Sequence, residues 1–450
     1  MGFTHSFRLK SVMSDTLIII GGGLAGSEAA WQAARRGVKV RLFEMRPERQ
    51  TEAHKTELLG ELVCSNSLRS NDPGSAPGLL KKELSMAGSL IMEAAGASTV
   101  PAGSALAVDR DLFAKFITGR LASHENIEII RDEITMLPEG LAILATGPLT
   151  SSAMADALAG LIGGAYLYFY DAIAPIIDAE SIDNEKVYRS SRYGKGGDDY
   201  INCPMGREQY EAFYQALVEA DKVTPRGFEA QRVFEGCMPI EVMAERGVDT
   251  MRFGPMKPVG LPDPRTGRDP YAVVQLRAEN NELTAYNMVG FQTRLRWPEQ
   301  KRVFGMIPGL QRAEYLRFGS VHRNTFINAP LFLDTDLTLK PKPDLYVAGQ
   351  ISGVEGYIES TAMGLIAGIN AARRLKGEAP VEVPQATCHG SLIRHLTETE
   401  SKHFQPSNIN FGLFPVSSEA ARIRDKKKRR ALLAEQALLE WSRYLEEISR

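Results

Sequence analysis

Leu17-Ile18-Ile19-Ile20 runs directly into Gly21-Gly22-Gly23-Leu24-Ala25-Gly26, and the reading of this stretch decides the fold. The apolar run has the length and composition of a buried parallel strand. Gly21, Gly23 and Gly26 stand in GxGxxG register. The first permits a tight turn, the second lets backbone approach a pyrophosphate, and the third lets helix and strand pack closely. Ser27 to Arg36 reads as an Ala-rich helix that stops at Gly37, and Val38 to Phe43 reads as a second strand ending in Glu44. A carboxylate at that position takes ribose hydroxyls, while the helix N-terminus faces the phosphates. Gly21, Gly22, Gly23, Leu24, Ala25, Gly26 and Glu44 are therefore expected to bind a dinucleotide. The alternative is a glycine turn without ligand.

The rest of the chain narrows the class. It has 450 residues, 44% hydrophobic and 24% charged, which excludes collagen-like, coiled-coil and wholly disordered architectures. Four cysteines are too few for a disulfide scaffold, and no spacing suits zinc, so no metal site is expected. No apolar run is long enough to span a membrane, and the first fifteen residues lack a secretory core. A cytoplasmic location is expected. The net charge of -2 neither requires nor excludes nucleic acid. One local block stands out: Arg422 to Arg430 carries seven basic residues against Asp425. It suits RNA phosphates or a solvated helix face.

A long irregular stretch runs from Arg46 to about Pro77, of a length that is usually functional or disordered. Asp109 to Leu121 reads as an N-capped helix, and Ile127–Arg131 and Leu141–Leu144 as strands. Leu345 to Gly349 restores the strand-to-glycine pattern, Ser360 to Leu375 reads as a helix rich in small residues, and Ala431 to Ile448 as a helix of the tail. The fold class expected is α/β, a Rossmann-like two-dinucleotide-binding flavoprotein fold with an inserted α+β domain. Its parts are 14–150 (first FAD-binding part), 151–340 (inserted, substrate- or RNA-facing) and 341–450 (return segment and helical tail).

FAD is favoured over NAD as the resident nucleotide. Ala145-Thr146-Gly147 resembles the strand-end ATG motif of flavoproteins. Gly349-Gln350, followed by Gly353, resembles their segment beside the flavin. NAD(P)H is expected only as a transient reductant. Cys64 and Cys237 lie among Gly, Ser, Asn and Pro in loop-like sequence and read as reactive thiols or as small core residues. Cys203 and Cys388 read as core. Tyr357 is placed to stack on a planar ligand, or simply to pack.

In order, these motifs resemble the folate- and FAD-dependent tRNA uracil-5-methyltransferases. The resemblance runs from Ile20 to about Trp441. It includes Leu62-Val63-Cys64-Ser65-Asn66-Ser67-Leu68, Phe234-Glu235-Gly236-Cys237-Met238-Pro239 and Gly353-Val354-Glu355-Gly356-Tyr357-Ile358-Glu359-Ser360. It implies transfer of a one-carbon unit from 5,10-methylenetetrahydrofolate to carbon 5 of the T-loop uridine of tRNA, with FAD as cofactor and NADPH or NADH as reductant. By that resemblance Cys237 is the nucleophile on uridine carbon 6. Cys64 is a second functional cysteine near the flavin, and Tyr357 stacks the folate ring against it. Two related readings remain open at this stage. One is the same chemistry on a 23S ribosomal RNA uridine; the other is a flavin-carrying protein that modifies wobble uridines.

Overall fold

The computed structural model describes residues 15–51, 53–163, 166–223, 238–280, 282–415 and 418–449. The chain opens with β1 (Thr16–Ile20), α1 (Leu24–Ala34) and β2 (Lys39–Glu44). Next come β3 (Ser67–Ser70), α2 (Ala76–Met86), α3 (Leu90–Ala97), β4 (Thr99–Val100) and β5 (Ala105–Val108). α4 (Arg110–Ala122), β6 (Ile127–Arg131), β7 (Ala142–Leu144) and α5 (Ser152–Ile162) complete the first part. The middle contains β8 (Tyr166–Ile173), β9 (Ile176–Asp178), β10 (Tyr188–Arg189), β11 (Tyr200–Met205), α6 (Arg207–Glu219), α7 (Ile240–Glu245) and α8 (Thr250–Phe253). It continues with β12 (Ala272–Ala278), β13 (Ala285–Met288), α9 (Trp297–Phe304), β14 (Tyr315–Arg317) and β15 (Ser320–Ile327). The last part holds α10 (Ala329–Phe332), β16 (Thr338–Leu339), β17 (Lys342–Val347), α11 (Tyr357–Leu375), α12 (Cys388–Glu398), α13 (Ser418–Arg422) and α14 (Lys426–Glu447).

The principal sheet has the order β16-β17-β7-β1-β2-β6, parallel except at the β16 edge. It is the expected Rossmann-type α/β sheet. Its strands come from both ends of the chain, because β17 pairs with β7. A second, antiparallel sheet has the order β10-β11-β12-β13-β9-β14 and its own apolar core, with Phe213, Phe291 and Phe304 fully buried. The strands that lead into and out of it, β8 and β15, pair antiparallel from Ser320↔Ile173 to Ile327↔Tyr166.

What positions the nucleotide end of the sheet is one close helix contact. α1 lies on α11 with no room for side chains between them: a Cβ on Gly364 would sit 2.2 Å from the Ala25 carbonyl oxygen, and one on Gly368 would sit 2.6 Å from that of Ala29. The contact advances along both helices together, so they run parallel and bring both N-termini to the same side of the sheet. β1 ends at Gly21, whose φ of +103° permits the turn while Ala145 packs against it.

Three helices begin earlier than their sequence patterns indicate, α1 at Leu24 rather than Ser27. α11 starts at Tyr357 rather than Ser360, and α14 at Lys426 rather than Ala431. Asp425 explains the last, since its carboxylate accepts the N–H groups of Lys427 and Lys428. The irregular 46–77 stretch contains β3, and Ser75 caps α2 through the Gly78 N–H. α14 is anchored by Trp441, fully buried, which donates to the Glu83 carbonyl at 2.8 Å and stacks on His389 at 4.1 Å. The Glu83 carboxylate accepts the N–H groups of Cys388 and His389 at the N-terminus of α12.

Gly364→Ala should lower stability by about 1–3 kcal/mol, since the new methyl meets backbone and forces two helices apart. Gly119→Ala, inside α4 with open space around it, should instead raise stability by about 0.5–1 kcal/mol. Urea unfolding of the two variants checks both signs.

Candidate functional site

The carboxyl ends of β1, β7 and β17 converge on a cleft of about 1020 Å³. Gly21, Gly23, Leu24, Ala25, Glu44, Gly147, Gly349, Gln350 and Tyr357 all line it. At Gly23 and Gly147 a Cβ would meet nothing within 4 Å, so bare backbone faces the cleft. The N-termini of α1 and α11 beside it add free N–H groups and positive dipole ends, the features an anion requires. Three of the expected residues do not line it. Gly26 lets α1 approach the Gly21 carbonyl, and Gly22 donates its N–H to Glu44 Oε2 at 2.9 Å. Gly353 (φ +99°) sits under the Phe404 ring, away from the cleft.

Glu44 is held at the end of β2. Burial alone would raise its carboxyl, but the Arg46 hydrogen bond, the Arg46 charge and two backbone N–H groups outweigh burial and hold it below the usual range. Arg46, itself buried, reaches Glu44 at 2.8 Å and Glu61 at 2.9 Å. Removing one partner from such a buried pair costs about 3–5 kcal/mol. His54 completes this wall. Burial, together with the charge of Arg46, lowers it to about 4 against the opposing pull of Glu61 and Glu44. It is therefore neutral at physiological pH.

Cys64 follows Val63, a residue of the cleft wall, and its sulfur meets Tyr357, another. The Tyr357 hydroxyl oxygen accepts the N–H of Cys64 at 2.9 Å and that of Ser65 at 3.2 Å. Those bonds take both oxygen lone pairs, which leaves the phenolic proton to point at Cys64 Sγ, 2.9 Å away. Burial first, and the neighbouring sulfur second, raise Tyr357 well above the ordinary tyrosine value, so it keeps that proton. Three arginines brace the loop from behind. Arg110 donates to the Leu62 carbonyl at 2.8 Å, Arg317 to that of Val63 at 2.6 Å, and Arg277 to Ser65 Oγ at 2.8 Å and Asn66 Oδ1 at 3.0 Å. Arg277 and Arg317 belong to the second sheet.

The remaining cysteines divide cleanly. Cys203, within β11, and Cys388, at the start of α12, are buried, and burial pushes both thiols up. Cys237 lies outside the described residues. The chain resumes at Met238, and Glu241 is fixed by Thr293 and Arg294 of the second-sheet segment. The basic block lies exposed over α13 and the first turns of α14, with Arg430 over the Phe411 ring at 5.5 Å. Arg46, His54, Glu61, Arg110, Arg277 and Arg317 escaped the sequence reading; only the unusual length of the 46–77 stretch pointed toward three of them. Among the described residues no helix is long and apolar enough to cross a membrane. No group of three or more His, Cys, Asp or Glu residues there could hold a metal ion.

The family model described as Glucose inhibited division protein A matches residues 16–379. A protein of Citrifermentans bemidjiense named methylenetetrahydrofolate--tRNA-(uracil-5-)-methyltransferase TrmFO is 58% identical over 439 residues, covering 97% of this chain and 100% of that protein. Proteins of the same name from Moorella thermoacetica and Geobacter sulfurreducens are also 58% identical, each covering 96% of this chain, and 98% and 99% of their own lengths. This chain belongs to that methyltransferase family. The crystal structure of Aquifex aeolicus GidA (form II) superposes with a TM-score of 0.71 at 18% identity, covering 97% of this chain and 74% of that one. The family's fold is thus shared with GidA, while the sequence sits with the methyltransferases.

The half-buried His54 imidazole makes a pH prediction. The unfolded chain protonates His54 at about 6.5 and the folded one only at about 4, so stability falls as pH drops through that window. Glu28, raised to about 6 chiefly by burial, acts in the opposite sense, its contribution falling as pH rises from 4.5 to about 6. His54→Asn should therefore lose less stability than the parent between pH 6.5 and pH 4.5. Parallel urea-midpoint curves for the two proteins would refute the assignment.

Proposed function

We propose that this chain is a cytoplasmic enzyme that transfers the one-carbon unit of 5,10-methylenetetrahydrofolate to carbon 5 of the T-loop uridine of tRNA, with FAD as cofactor and NADPH or NADH as reductant. The observation that carries the proposal is a thiol-bearing loop, Cys64 against Tyr357, set at the edge of a dinucleotide cleft. That arrangement occurs in a chain 58% identical, over 439 residues, to a protein named for this reaction.

In this reading Gly21, Gly23 and the two helix N-termini hold the FAD pyrophosphate, and Glu44 accepts the ribose hydroxyls. Ala145-Thr146-Gly147 and Gly349-Gln350 border the ring system, and Tyr357 closes its side toward the folate. When bound, the reduced flavin supplies the electrons that convert the transferred carbon to a methyl group. Cys237 is the nucleophile: its thiolate adds to uridine carbon 6, the 5,6 double bond opens, and the charge reaches carbon 5; the new bond from carbon 5 and a hydride equivalent from the reductant replace the two bonds that held the one-carbon unit to folate nitrogens. Loss of the carbon 5 proton and departure of sulfur restore the double bond. Cys64, with Tyr357 holding its proton in place, serves the one-carbon side of the site.

Residues 14–150 and 341–450 form the FAD-binding part in this assignment, and 151–340 faces the RNA. The basic block supports an RNA role. Lys426, Lys427, Lys428, Arg429 and Arg430 crowd the positive end of the α14 dipole, where basic side chains cost the helix stability rather than add to it. Phosphates offer a reason for them. The target base must leave its stack to be reached, at a cost of a few kcal/mol.

Cys237→Ala should abolish methylation of unmodified tRNA and the covalent complex with a T-arm hairpin carrying 5-fluorouridine. Undiminished adduct in that variant would remove Cys237 from its role. Methyl transfer from S-adenosylmethionine in place of methylenetetrahydrofolate would remove the folate assignment.

A further inference from the structure

A second groove, of about 2230 Å³, lies behind the loop that carries Cys64. Its near wall is formed by Leu62, Arg110 and Arg317, the latter two being arginines that hold that loop. Glu61 lines both this groove and the nucleotide cleft, so a single loop partitions the two. Trp297 and Phe318, which also line the groove, belong to a column of aromatic rings. Tyr315 stacks on Phe318 with centroids 4.8 Å apart and planes 13° apart, and Phe318 stacks on Trp297 at 5.3 Å and 15°. Tyr315 is fixed at the inner end, since β14 pairs with β9 and its hydroxyl donates to the Gln300 carbonyl. Trp297, at the outer end, is 61% exposed.

We propose that Trp297 is a stacking shelf for an unpaired nucleobase of the RNA substrate, seating the strand beside the Cys64 loop. A fixed column of parallel rings ending in an exposed indole presents the next stacking position of a single strand, and such stacking is tolerant of base identity. The charge around the shelf fits RNA. Arg296 is exposed just before Trp297, and Lys301 lies one turn further along α9 with its ammonium 5.6 Å from the Phe318 ring. The groove itself is mixed. Glu61 and Glu279 are paired with Arg46 and Arg110, while Asp111 and Glu282 also line it. It therefore offers a base a surface but offers a diphosphate no cradle. A nicotinamide nucleotide needs such a cradle, and the bare glycine backbone that supplies one opens into the other cleft. The shelf explains why a tryptophan and a leucine, Leu316, are left exposed together on this face.

The inference rests on the reading of this chain as a tRNA methyltransferase, and the test separates the two. The other tryptophans, Trp31 and Trp441, are 7% and 0% exposed, so acrylamide quenching of the holoenzyme reports on Trp297. Unmodified tRNA transcript should shield that fluorescence, and NADPH should not. Trp297→Ala should raise KM for tRNA roughly tenfold with little change in kcat, and Trp297→Phe should recover most of the loss, flavin content and melting temperature showing the fold intact. An unchanged KM in Trp297→Ala, or shielding by NADPH instead of RNA, overturns the shelf while leaving the methyltransferase reading in place. Shielding by tRNA in a holoenzyme that methylates no RNA supports the shelf and overturns the methyltransferase reading.

Discussion

Everything at the nucleotide end of this molecule depends on how closely α1 and α11 approach. Gly364 and Gly368 let the two backbones touch at Ala25 and Ala29, and no larger residue fits. This contact brings together two helix N-termini from elements that are far apart in sequence. It also fixes Tyr357, the first residue of α11, within reach of Cys64. The phenol–thiol pair is therefore a by-product of backbone packing, held by rigid elements rather than by the loop alone.

The two sheets have separate apolar cores, yet they are joined at the site by polar contacts. Arg277 and Arg317 reach from the second sheet to residues 63–66, and Asn66 returns a bond to the Ala278 carbonyl. Arginine suits this work because its planar fork satisfies several acceptors in fixed directions. Movement of the second sheet would therefore be felt first at Cys64, since its flanking carbonyls and side chains hang from those guanidinium groups.

The βαβ unit was legible because each of its signals is local: an apolar run, a glycine turn, a helix, a second run and a terminal acid. Asp109 as a cap, and β6 with its bounds, were legible for the same reason. Gly364 and Gly368 read only as small residues in a helix, since their purpose lies on another helix. The arginine braces were invisible, because a lone Arg in a strand looks like any solvated charge until its acceptor is known. α14 began earlier than the pattern indicated because five successive basic residues hide the helical period that Asp425 nonetheless starts. Gly353 resembles part of the flavoprotein segment that Gly349-Gln350 begins; the Phe404 ring, which it accommodates, comes from the tail.

The placement of β17 beside β7 carries a consequence for biogenesis. On emergence from the ribosome, β7 has β1 on one side and a bare edge on the other, and the strand that covers that edge is translated only after the whole second sheet. Long-range parallel pairing of this kind is slow and leaves an adhesive flank in the interim. The autonomous core of the second sheet and the β8–β15 ribbon, which draws its two ends together, shorten the search that β17 must make. An insertion that first looks like a kinetic burden is thereby also the clamp that lets the outer sheet close.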